Sequence, residues 1–116
     1  MMKYTFLKNL TDAIGRTYDK QEILDNLKSE YYGEMIPTQN HFLDLENVSH
    51  MFKNIRFEGD DLIGDLVVLY TPAGNILQPL LDNGVSFTTS IRATGIVDKK
   101  AVSEVNIIAF DLQFKT

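Results

Sequence analysis

The residues with chemical potential are a hydroxyl-rich run ending on an arginine, two histidines and a late aspartate. If residues 85–94 are extended, Ser86, Thr88, Ser90 and Arg92 share one face, and Val85, Phe87, Thr89, Ile91 and Ala93 share the other. A hydroxyl beside a guanidinium suits acyl transfer, in which the oxygen attacks and the cation stabilises the developing oxyanion. At neutral pH such a hydroxyl also needs a base, and imidazole is the natural one. His41 falls in a polar stretch and His50 in a strand-like one. Taken singly, each residue has an ordinary reading: a serine on a Ser/Thr-rich strand, a surface or ion-paired arginine, an exposed loop histidine (His41) and a packed strand histidine (His50). Asp111, opposite in face to Phe110 and Leu112, reads as a solvated strand aspartate.

Other chemistries find less support. The chain has no cysteine, which excludes disulfides, thiolate metal sites and a cysteine nucleophile. Two histidines without cysteine do not make a zinc site. Asp60, Asp61 and Asp65 lack the spacing and terminal glutamate of a calcium loop and are explained by a hairpin turn. No glycine-rich loop is placed to cradle a phosphate, and no cofactor is expected.

The bulk properties narrow the partners. The net charge is −5, and the eleven basic residues are scattered, whereas a nucleic-acid binder clusters them. Anionic membrane surfaces are disfavoured for the same reason, and no apolar run approaches the roughly 18 residues that span a bilayer. At 116 residues and 44% hydrophobic, the chain is expected to bury one core. The expectation is a single soluble, intracellular-type domain over residues 1–116.

Positioning those side chains requires a scaffold that is mostly strand. Residues 2–8 read as a first strand and residues 9–17 as a loop. Asp19 with Glu22 fits a capping box, and Ile23, Leu24, Leu27 and Tyr31 continue at helical spacing to Gly33. A polar segment, 34–47, follows. Residues 51–57 and 62–70 read as a hairpin about Gly59-Asp60, the second strand apolar enough to be central. After the break at 71–75, a short helix over 76–82 is expected, with Pro79 tolerable only near its first turn. Strands over 85–94 and 104–114 flank a turn at 98–100. The fold class is α+β, a small antiparallel, barrel-like sheet with two helices.

Several segments, in order, resemble the tailed-phage prohead (capsid maturation) serine protease family. They are Ile14-Gly15-Arg16-Thr17-Tyr18, Gly33-Glu34-Met35, Val48-Ser49-His50, Glu58-Gly59-Asp60-Asp61-Leu62-Ile63-Gly64, Thr71-Pro72-Ala73-Gly74, Ser90-Ile91-Arg92-Ala93-Thr94-Gly95 and Ala109-Phe110-Asp111. The resemblance implies a herpesvirus-protease-like fold and a role in cleaving scaffold and capsid proteins within the immature head. It places the family's nucleophile on Ser90, its neighbouring oxyanion group on Arg92 and its acidic strand residue on Asp111. The family's histidine follows Gly-Glu-Leu by two positions. Here Ile36-Pro37 occupies that place, so the base is missing unless His41 or His50 replaces it.

The expected function is therefore a non-catalytic, prohead-protease-like module. It would be a structural or protein-binding component of a phage particle or its assembly, oligomeric or part of a larger complex with phage structural proteins. Its expected location is the host cytoplasm during assembly, or the virion. An active minimal serine endopeptidase using Ser90 is the alternative. Small size and acidity also suit a phage inhibitor of a host protein.

Overall fold

The computed structural model describes residues 2–35 and 43–115; Ile36, Pro37 and His41 lie outside them. Among the described residues the order is β1 (Lys3–Leu7), β2 (Thr17–Tyr18), α1 (Lys20–Asn26), β3 (Tyr31–Glu34), β4 (Val48–Glu58), β5 (Asp61–Val68), α2 (Pro72–Asp82), β6 (Phe87–Asp98) and β7 (Ala101–Phe114). The strands form two sheets, ordered β1-β5-β4-β3 and β2-β7-β6. All pairs are antiparallel except β2 on β7. No helix among the described residues is long and apolar enough to cross a membrane.

The core lies between the sheets. Phe110 of β7 stacks on Phe6 at 4.0 Å between centroids and meets Tyr31 edge-on at 5.1 Å. Phe52 and Phe110 are both fully buried. β5, the strand expected to be central, lies between β1 and β4.

Four expectations need correction. First, the sheets do not close into a barrel: among the described residues no strand ladder joins them, and isolated bridges, Lys8 to Thr11 and Thr11 to Thr17, run from the end of β1 to β2. Where β1 faces β6, the link is the Thr89 hydroxyl donating to the Thr5 carbonyl (3.0 Å). Where β3 meets β7, it is the Glu34 amide donating to the Asp111 carboxylate (2.9 Å).

Second, α1 stops at Asn26, and Tyr31 begins β3. Leu27 is already extended, and Tyr31 is buried while its hydroxyl accepts the Lys28 amide. The Tyr31-Tyr32 pair gains more from pairing with β4 than from prolonging a short helix.

Third, only half of the capping box forms. Asp19 accepts the Glu22 amide, but the Glu22 carboxylate reaches across to the Val105 amide (2.7 Å). There β7 is bulged, with Glu104 in the left-handed region. A bulge leaves a strand amide unpaired, and Glu22 satisfies it.

Fourth, α2 starts at Pro72, capped by Thr71, so Pro79 sits inside the helix rather than in its first turn. Gly74 explains the close docking of that first turn. A Cβ there would stand 1.8 Å from the Leu69 carbonyl oxygen and 2.9 Å from that of Ser49.

Candidate functional site

Among the described residues, the buried polar and charged ones are Glu34, Ser49, His50 and Asp111, and with Arg92 they form one constellation. β7 carries Asp111 at its best-covered stretch, where residues 109–112 are all buried. The expected solvated aspartate is thus 1% exposed. Sheet packing covers one face of β7 and the end of β3 covers the other.

Its charge is met by Arg92, whose Nε donates to Oδ2 (3.0 Å) and whose terminal amino group donates to Oδ1 (2.8 Å). This fork geometry is the strong form of a carboxylate–guanidinium pair. The same amino group donates to Glu34 Oε1 (2.6 Å). The other Glu34 oxygen accepts the Asp44 amide (3.4 Å). Burial alone would weaken the Arg92 cation, but the two carboxylates outweigh it and raise its pKa.

His50 occupies the adjacent corner with no exposed surface. Its Nε2 lies 2.9 Å from the Phe110 carbonyl, which only accepts, so Nε2 carries the proton. Burial, opposed by that carbonyl and by Glu34, pulls its pKa from 6.5 down to about 4. In the neutral ring, Nδ1 then accepts from the Ser49 hydroxyl at 2.6 Å. The lone pair a nucleophile would need is already in use by Ser49, and that pair is sealed from solvent.

This burial makes stability depend on pH. The unfolded chain protonates His50 near 6.5 and the folded chain near 4, so between those values the unfolded state binds more protons. Stability from this group is present above pH 6.5 and is lost as pH falls towards 4, by roughly 3 kcal/mol. His50→Gln keeps a donor for Phe110 without titrating. Urea unfolding at pH 7 and pH 4 is expected to show a smaller fall for the variant, and equal falls would refute this account.

Ser90 stands opposite Asp111 in the β6–β7 register, two residues before Arg92. It is half-buried and opens on a cleft of about 250 Å³ bordered by Phe6, Asp12, Ile14 and Arg16. Its hydroxyl makes no hydrogen bond among the described residues, and Ile91 packs against the core as its alternation requires. The structure thus brings Ser90, Arg92 and Asp111 together on one face. His50 is placed behind Phe110 with both ring nitrogens engaged. His41, and the Ile36-Pro37 gap, lie outside the described residues. No group of three or more metal-ligating side chains is assembled among the described residues.

Glu34 and Ser49 were not singled out by sequence reasoning, although each lies within a quoted segment. Their signal was position: a charged or polar residue just where a strand enters the core, beside Gly33 in one case and His50 in the other.

No protein-family model and no curated protein matches the sequence. Among solved structures, the chain superposes on the bacteriophage T4 capsid assembly protease, gp21, with a TM-score of 0.83. The match covers 98% of this chain and 81% of that one, at 16% identity. The chain has the fold of a capsid assembly protease. The α+β fold with two helices that the resemblance implied is thereby recovered, in open sheets rather than a barrel. The segments behave as packing units. Glu34, Ser49-His50, Arg92 and Asp111 meet in the buried constellation. The Thr71 hydroxyl donates to the Val48 carbonyl, and Asp12 gathers Arg16 and Tyr18.

Proposed function

We propose that the chain is a non-catalytic module of the capsid assembly protease fold. It serves as a structural or protein-binding component of a phage particle or its assembly, in contact with phage structural proteins. The observation that carries this reading is the commitment of the groups Ser90 would need. The basic nitrogen of His50 is held by the Ser49 hydroxyl, and Arg92 is forked onto Asp111 and bonded to Glu34. A guanidinium so neutralised is a weak oxyanion stabiliser, and a serine without a base reacts slowly. The constellation does structural work, tying β3 and β4 to β6 and β7.

The capsid assembly role of the T4 protein supports the phage context. The competing reading, a minimal serine endopeptidase, draws on the cleft at Ser90, with His41 as the remaining candidate base. A fluorophosphonate probe separates the two. The expected result is no labelling of the intact chain above that of Ser90→Ala; stoichiometric labelling lost in Ser90→Ala would overturn the module reading.

A further inference from the structure

Three local rules are broken around one cleft that shares no lining residue with the cleft at Ser90. The cleft, of about 310 Å³, lies between the end of β5 and one stripe of α2 formed by Asn75, Gln78, Pro79 and Asp82, and Tyr70 borders it. Pro79 is interior to the helix and has no N–H to offer the Asn75 carbonyl, so that acceptor loses its usual partner. Asp82 ends the helix, and the last turn holds no basic residue, whereas the negative end of a helix favours a cation. Tyr70 is a large aromatic residue left fully exposed at 101%. Violations of local preference concentrated in one place mark function more often than error.

Their chemistry is complementary to one kind of group. A backbone carbonyl and a carboxylate on one helical stripe both accept, and Asp82 spends only Oδ1, on the Gln78 amide (2.9 Å). An aromatic face beside them attracts cations. The planar, many-donor guanidinium fits such a site better than ammonium, because it stacks while reaching separated acceptors. We infer that this cleft receives an arginine side chain from a protein partner, stacked on Tyr70 and bonded to Asp82 and the Asn75 carbonyl. The protein's net charge of −5 favours a basic partner. The inference rests on the binding-module reading and names the chemistry of its partner.

The test uses the full chain, 15N-labelled, titrated with acetyl-Gly-Arg-Gly-amide, its lysine analogue and its uncharged citrulline analogue. The arginine peptide is expected to give saturable shifts at Tyr70, Asn75, Gln78 and Asp82 with roughly millimolar affinity. Lysine should bind more weakly and citrulline not measurably. Asp82→Asn and Tyr70→Ala, both at exposed positions whose spectra report folding directly, should each weaken binding about fivefold or more. Absence of saturable shifts, equal binding of citrulline, or unchanged affinity in Asp82→Asn would overturn the inference. Arginine binding by a chain that also labels at Ser90 would sink the module reading and keep the cleft. A chain inert at Ser90 that ignores arginine would do the reverse.

Discussion

Arg92→Ala is expected to cost about 3–5 kcal/mol of folding stability, measured as the urea midpoint at constant m-value. The substitution leaves Asp111 and Glu34, at 1% and 0% exposure, as two carboxylates with no cation between them. For a domain whose whole stability is about 5–15 kcal/mol, that loss approaches unfolding. The same argument makes a second, opposed forecast. Replacing the trio together, as Glu34→Met, Arg92→Met and Asp111→Leu, removes the desolvation cost with the charges and should recover most of the loss. A single-variant cost below 1 kcal/mol would mean that water reaches the cluster and that the pairing is not a structural clamp.

Gly33→Ala should be at least as damaging, for a steric reason. The added Cβ would stand 1.9 Å from the Phe110 carbonyl oxygen and 2.4 Å from His50 Nε2. The first neighbour is backbone of a central strand, and the second is the bond that fixes the His50 ring, so neither yields cheaply. Separating β3 from β7 would also lengthen the Glu34–Asp111 link. A loss of about 3 kcal/mol or more in thermal unfolding is expected. Gly59 provides the comparison, since its φ is +63° but nothing lies within 4 Å of an added Cβ. Gly59→Ala should therefore cost only the left-handed backbone penalty of about 1 kcal/mol. Similar costs for the two would contradict the close approach of β3 and β7.

The elements most legible in the sequence were those whose signal is local. The β4–β5 hairpin, the β6–β7 hairpin and the Asp19 cap follow from turn chemistry, alternation and capping, which act over a few residues. Helix α1 was read too long because Tyr31 falls at helical spacing, yet its burial is decided by β4, about twenty residues away. Helix α2 was read too short because Thr71-Pro72 signals a break as well as a helix start. Asp111 was read as solvated because alternation puts it opposite Phe110, and nothing local shows that β3 covers that second face.

At the site, the sequence by itself determined which side chains share a strand face: Ser90 with Arg92, and Ile91 with the core. Through the order of seven short segments it also pointed to the protease fold, because those segments are contacts the architecture requires. Only the tertiary structure decided which partners the polar members meet. Whether Arg92 meets an oxyanion or a carboxylate, and whether His50 offers its lone pair to Ser90 or Ser49, depends on β3, β4 and β7 converging from positions 34, 49–50 and 110–111. Burial and hydrogen-bond partnership belong to that convergence, so no spacing along the chain could have stated them.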